Sequence, residues 1–303
     1  MLKIQKEYNK KVLKGVICEQ DRELITQNLA LCTHAELSSL VNALNYRHHH
    51  GDLGKIDKSS ILYESVDVVR FMLAILNVWD LSAEEFTSAF HKKDVYLHQR
   101  KRIEDNPWKG QPVAIVDIDD VLAEFRTCFA DWLIENKGIH PDIESSEYYF
   151  IDALKQSGEN PEQIFEDFMK DDGFLRLDEV KNAGLFLNQL KKKGYWVHLL
   201  TARPEDNLDC FYETYQWLQN LAIPYDDLSF SSEKFRWCAQ SKYYDSGSIK
   251  FAIDDSPKHA MEYARHGIKC FVPKKSYNQH IVHENIEFYS LFSEIFENLK
   301  IFV

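Results

Sequence analysis

Residues 113–122 read VAIVDIDDVL, an apolar run that breaks into three aspartates within four positions. Apolar residues in unbroken succession fit a strand buried on both faces. Asp117, Asp119 and Asp120 then stand at its carboxyl end. Further along, WVHLLT (196–201), DLSF (227–230), KFAIDD (250–255) and KCFVPK (269–274) repeat that texture, separated by helical stretches. Short apolar strands alternating with helices predict a parallel sheet covered on both faces. In such a sheet a ligand sits at the carboxyl ends of the strands, so the residues after each run are the ones that carry chemistry.

Those ends are Asp117-Ile118-Asp119-Asp120 after the first run, Thr201-Ala202-Arg203-Pro204 after the second and Asp254-Asp255-Ser256 after the fourth. Any one aspartate reads as well as a turn or a helix cap. Asp117, Asp119, Asp254 and Asp255 gathered into one crevice would repel one another strongly unless a hard cation sat among them, and oxygen ligands suit magnesium. Three lysines lie between DLSF and Asp254. Lys250 lies within a strand and Lys242 well along the following helix, whereas Lys234 opens the helix KFRWCAQSKYY behind DLSF, aimed at the strand ends.

The series DIDDVL, LLTAR, a lysine and AIDD resembles the four motifs of the haloacid dehalogenase superfamily of phosphatases, over roughly residues 112–275. The resemblance implies an α/β Rossmann-like parallel sheet with a small helical cap, here about 126–174. It implies Asp117 as nucleophile, Asp119 as general acid and base, and Thr201 and Lys234 on the transferring phosphoryl group. Asp117, Asp119, Asp254 and Asp255 would hold Mg2+. Within the superfamily the texture is similar to the 5′(3′)-deoxyribonucleotidases and to polynucleotide 3′-phosphatases, and Arg203 would lie close to the substrate in both. A carboxylate nucleophile forming an aspartyl phosphate divides one hard displacement into two easier ones. Phe129, Trp132, Phe165 and Phe168 read as cap core, and Tyr148, Tyr149 and Phe150 as rings able to stack on a nucleobase.

Upstream of KRIEDNPWKGQP (101–112), read as a linker, the texture is helical throughout. SILYESVDVVRFMLAILNVW is apolar almost all round and predicts a helix buried on most sides; Leu29–Leu44 gives a second, and Ser82 with Glu85 forms a capping box for a third reaching toward Arg100. Glu64 and Asp67, three apart on one helix, share a face with which Glu36 of the preceding helix can combine around a cation. Lys93 and Arg100 on the third helix suit phosphate oxygens. This half, the domain 1–105, resembles over roughly residues 20–100 the all-α nucleoside triphosphate pyrophosphohydrolases, the MazG-like proteins and dimeric dUTPases, whose signature is E-x-x-E on one helix and E-x-x-D on the next. Glu64 and Asp67 match the second pair, but Ser39 replaces the carboxylate expected three residues after Glu36. The resemblance implies Mg2+ at Glu36, Glu64 and Asp67 and a homodimer through the helical domain. His48–His50 form a polar loop tract.

The partners follow from charge. With 48 Asp and Glu against 36 Lys and Arg the formal charge is −12, which disfavours a protein gripping a long polyanion. A small nucleotide is the expected substrate, and nucleic acid is not. The six cysteines lack a C-x-x-C pair, there is no G-x-x-x-x-G-K-[ST] loop, and neither a signal peptide nor a membrane span is read, so a cytoplasmic protein is expected. Residues 106–303 then form the phosphatase domain: a phosphatase of (deoxy)nucleoside monophosphates fused to a nucleotide-handling helical domain, with polynucleotide end healing as the alternative.

Overall fold

A computed structural model describes residues 2–12, 19–44, 56–105, 107–145, 150–204 and 206–299. His48–His50, Tyr148 and Tyr149 lie outside them. The chain divides into two units, residues 1–91 and 92–303. The division falls inside helix α4 (Ala83–Asp105), which runs on into the segment read as a linker.

The first unit holds α1 (Leu2–Val12), α2 (Glu19–Ala43), α3 (Lys58–Val78) and the start of α4. Asp57 caps α3, its carboxylate accepting from the backbone N–H groups of Ser59 and Ser60. Ser82 and Glu85 close the expected capping box on α4, each side chain accepting from the other's backbone N–H. The expectation that α3 is buried on most sides is not met. Only Ala74 and Val78 of α3 are buried, while Leu62, Tyr63, Val66, Val69 and Met72 are exposed. Packing against α1 and α2 covers one side of α3 and leaves an apolar face outside.

The second unit is built on a six-stranded parallel sheet in the order β3-β2-β1-β4-β5-β6. Its strands are β1 (Val113–Val116), β2 (Trp196–Thr201), β3 (Asp227–Phe230), β4 (Ile249–Ile253), β5 (Lys269–Pro273) and β6 (Ile286–Tyr289). The parallel sheet with helices on both faces is the expected Rossmann-like fold. Alternate residues of one strand feed opposite layers. Ala114 and Val116 of β1 join one core cluster, and Val113 and Ile115 the other. On the first face α8 (Ala183–Lys192), α9 (Leu208–Asn220) and α13 (Phe292–Asn298) bury Leu187, Trp217 and Ile295; on the second, α10 (Lys234–Ala239), α11 (Lys242–Asp245) and α12 (Pro257–Arg265) bury Cys238, Tyr243 and Tyr263. Each fully buried large side chain contributes about 1.5–3 kcal/mol through area removed from water.

Between β1 and β2 lie α5 (Phe125–Lys137), α6 (Ile151–Ser157), α7 (Pro161–Lys170) and a short 3-10 turn (Gly173–Arg176). Their apolar sides meet in a cluster of rings, with Phe129 and Phe168 centred 5.1 Å apart and Phe168 and Phe174 5.5 Å apart. Gly173 is required at the start of the 3-10 turn, because a Cβ there would come within 2.5 Å of both the ring and the carbonyl oxygen of Phe168.

Candidate active site

The sheet order turns at β1: the chain moves outward through β2 and β3 on one side and through β4, β5 and β6 on the other. At such a reversal the loops diverge and leave a crevice at the carboxyl ends of the strands. Asp117 and Asp119 follow β1, Thr201 ends β2, Arg203 follows it, Lys234 follows β3, and Asp254 and Asp255 follow β4.

Lys234 is the hub. It is the first residue of α10 and only 1% exposed, and its Nζ lies 2.7 Å from Asp117 Oδ1 and 2.7 Å from Asp254 Oδ2. A buried ammonium needs such partners, and two carboxylates at this distance supply them. Burial acts to lower the Lys234 pKa, but Asp117 and Asp254 outweigh it and hold the ammonium above its ordinary value. Burial pushes the Asp117 carboxyl up to about 6, with Lys234 opposing and Asp254 and Asp119 adding to the rise. Asp254 is raised by burial as well, against the same lysine. Its Oδ1 accepts from the backbone N–H of Ser256 at 3.0 Å. The competing lysines lie elsewhere: Lys242 Nζ sits over the Trp108 ring at 5.9 Å, and Lys250 Nζ donates to the carbonyl of Gly247. The helix read as KFRWCAQSKYY is two helices, broken at Gln240 and Ser241.

Asp119 is held differently. Arg203 Nε and an Nη donate to its two oxygens at 2.9 and 2.7 Å, a two-pronged pair suited to the planar guanidinium. The other Nη donates to Thr214 Oγ1 at 2.8 Å, and the guanidinium lies 4.1 Å over the Phe174 ring. Arg203, read as a substrate contact, is therefore turned onto Asp119 and fixes where that carboxylate points. Thr201 is fully buried, and its Oγ1 accepts from the Arg203 backbone N–H.

Asp255 is fully buried, and burial together with Asp117, Asp120 and Asp254 raises its pKa well above the usual carboxylate range. Tyr277 donates its hydroxyl to Asp255 Oδ2 at 2.6 Å, while Asn278 Nδ2 donates to the Asp255 and Pro273 carbonyls. Tyr277 also lies 3.4 Å from Asp120 Oδ2. Asp120 adopts a left-handed backbone, φ 54°, which Asp tolerates better than most side chains. Tyr277 and Asn278 were not singled out from sequence. They lie 22 and 23 residues beyond Asp255 in a turn without motif, so no local signal marks them.

A cavity of about 380 Å³ opens from this centre. Asp117, Asp119, Lys234 and His259 line it together with the rings of Phe125, Phe129, Phe165 and Phe174. Phe129 and Phe165, read as cap core, thus also form a wall of the cavity. Phe150 is buried under the Arg126 guanidinium, 4.1 Å from its ring centre. Burial, with Lys234 adding, lowers the His259 imidazole to about 4 and keeps it neutral near pH 7.

Among the described residues, two carboxylate clusters are compact enough to hold a cation. Oxygens of Asp117, Asp254 and Asp255 lie within 4.8 Å of one another, as do those of Glu36, Glu64 and Asp67 in the helical unit. An all-oxygen donor set of buried carboxylates fits a hard divalent ion such as magnesium. Asp119, counted among the ligands from sequence, instead turns its carboxylate to Arg203. In the helical unit Glu64 and Asp67 share a face of α3, and Glu36 reaches them from α2; Asp67 also pairs with Arg70 at 3.6 Å. Lys93 and Arg100 are exposed on the part of α4 that belongs to the second unit, with Lys93 Nζ 4.9 Å over the Tyr96 ring. Among the described residues no helix is long and apolar enough to cross a membrane.

No family model matches the chain and no curated protein matches it. Among solved structures, a predicted phosphatase from Clostridium acetobutylicum aligns at 13% identity, covering 63% of this chain and 98% of its own, with a TM-score of 0.44. A predicted phosphoglycolate phosphatase from Haemophilus somnus 129PT aligns at 13% identity over 63% and 99%, TM-score 0.44. D,D-heptose 1,7-bisphosphate phosphatase from Burkholderia thailandensis aligns at 9% identity over 63% and 99%, TM-score 0.40.

Proposed function

We propose that residues 92–303 form a magnesium-dependent phosphomonoesterase that works through an aspartyl phosphate on Asp117, with (deoxy)nucleoside monophosphates as substrates. The observation that carries this reading is the buried ammonium of Lys234 shared between Asp117 and Asp254, beside Asp255, at the reversal point of the sheet. A lysine so placed orients the attacking carboxylate and meets the charge that grows on the equatorial oxygens of the phosphoryl group. Asp119, aimed by Arg203, protonates the departing oxygen and then removes a proton from the water that releases phosphate. Thr201 ends β2 beside them and orients the phosphoryl group. When bound at Asp117, Asp254 and Asp255, magnesium supplies further charge neutralisation to the phosphoryl oxygens.

Support for a nucleotide comes from the cavity, which is lined by carboxylates and Lys234 together with phenylalanine rings. Aromatic walls suit a flat nucleobase. The net charge of −12 disfavours polynucleotide ends.

For the helical unit the reading is metal binding at Glu36, Glu64 and Asp67 with nucleoside triphosphate pyrophosphohydrolysis, in a homodimer. The exposed apolar residues Leu62, Val66, Val69 and Met72 of α3 support association. Phosphate and pyrophosphate release should be measured across deoxynucleoside monophosphates, triphosphates and 3′-phosphorylated oligonucleotides. Phosphate from monophosphates, lost in Asp117→Asn with the fold retained, is expected; full turnover by that variant would remove Asp117 as nucleophile. Pyrophosphate lost on Glu64→Gln is the expected signature of the helical unit, and its absence with every triphosphate would leave that unit without catalysis. Light scattering of the full chain tests the dimer, and a monomer would refute it.

A further inference from the structure

A second cavity, of about 840 Å³, lies on the other side of the turn that follows β1, between α8, α13 and the carboxyl ends of β5 and β6. Its volume is that of a small-molecule pocket, roughly 300–1,000 Å³. Val121, Phe186, Tyr289 and Phe292 form a buried apolar floor, and Leu185 and Leu291 stand at its mouth 64% and 65% exposed. Apolar side chains left in water beside a preformed hollow favour an occupant that would cover them.

The charge around this hollow is opposite to that of the protein. Two carboxylates, Asp120 and Glu124, line it with three lysines, Lys181, Lys274 and Lys275, in a chain whose net charge is −12. Lys275 is already committed, its Nζ 3.6 Å from Asp120 and 3.7 Å from Glu124. One ammonium offsets one of these two charges, and Asp120 also accepts from the backbone N–H of Arg126 at 3.2 Å, so three lysines against two carboxylates leave the lining with a surplus of one positive charge. Lys181 and Lys274, both exposed, have no carboxylate partner among the described residues and carry that surplus.

We infer that this cleft binds a small amphipathic anion: an apolar body on the floor, with one carboxylate, sulfonate or phosphate head between Lys181 and Lys274. The reaction centre takes no part in this site. It stands or falls separately from the phosphatase reading.

The test is calorimetric titration of the full chain with decanoate and with anilinonaphthalene sulfonate, each below its aggregation threshold, and with decyltrimethylammonium as a cation of the same tail. Saturable single-site binding of at least one anion is expected, weakened about tenfold or more in a Lys181→Glu, Lys274→Glu double variant. Decanoate alone would mark the body as acyl, anilinonaphthalene sulfonate alone as aryl, and either supports the site. Both lysines are exposed and without a carboxylate partner among the described residues, so the fold should survive, which circular dichroism checks. Gln189→Trp, which places an indole in the hollow, should abolish binding without changing the charge. No saturable binding of either anion, equal binding of the cation, or unchanged affinity in both variants would overturn the inference. Asp117→Asn protein should bind the anions as the unaltered chain does.

Discussion

Replacing Lys234 by methionine keeps the length of the side chain and removes its charge. At an effective dielectric near 20, each contact at 2.7 Å corresponds to roughly 6 kcal/mol of bare attraction. Desolvation of the ammonium and repulsion between Asp117 and Asp254 cancel much of that. Removing one partner from a buried ionic group leaves a net loss of about 3–5 kcal/mol. For a unit of this size each kcal/mol moves Tm by roughly 2–4 °C, so a fall on the order of 6–20 °C is expected. Thermal unfolding followed by circular dichroism at neutral pH measures it, with phosphate release assayed on the same samples below the transition. Turnover should drop by about a thousandfold or more, since the variant loses both the orientation of Asp117 and a charge facing the phosphoryl oxygens. A Tm within about 2 °C of the unaltered protein, or turnover within about tenfold of it, would refute this account of Lys234.

Arg203→Lys retains a charge but not the fork that grips Asp119, so kcat should fall about a hundredfold with KM little changed. A raised KM at constant kcat would instead mean that Arg203 binds substrate directly. Gly173→Ala puts a methyl group against the Phe168 ring and carbonyl and should destabilise by about 1–3 kcal/mol, read as a lowered Tm. Glu213, 5% exposed, is pushed up to about 7 by burial, with the backbone N–H of Phe174 opposing and Asp172 and Asp209 adding. A carboxyl raised in the folded state holds its proton there after the unfolded chain has lost it, so stability falls as pH rises from about 4.5 through 7. Glu213→Gln should flatten that slope and gain on the order of 1–2 kcal/mol above neutrality, relative to the unaltered protein, in denaturant titrations at several pH values.

Five of the six strands could be read directly, because a parallel strand buried on both faces leaves a largely apolar run such as VAIV or WVHLLT. Strand β6 could not. Ile286, Glu287 and Phe288 are only partly buried at the sheet edge, so IEFY mixes a charge into a short run and gives no such signal. The aspartates and Lys234 announced themselves by their position after strands. What sequence could not supply was the pairing among them: that Arg203 faces Asp119, and that Tyr277 and Asn278 return from beyond β5 to hold Asp255. These contacts join residues 84 and 22 positions apart and exist only once the sheet has formed. The apolar face of α3 shows the opposite failure, since a helical pattern reports which residues seek burial but not whether anything covers them.

The left-handed backbone at Asp120 has a consequence for anyone aligning this chain with others. Asp119 and Asp120 are neighbours of identical type, yet one lines the smaller cavity and the other the larger. Asp119 is gripped by Arg203, whereas Asp120, with φ 54°, faces Lys275 and Tyr277, so the backbone and not the residue type separates them. A slip of one position across DIDD preserves the letters and exchanges the two environments. Comparisons at this motif should therefore be registered on the backbone turn, with the left-handed residue as the fixed point.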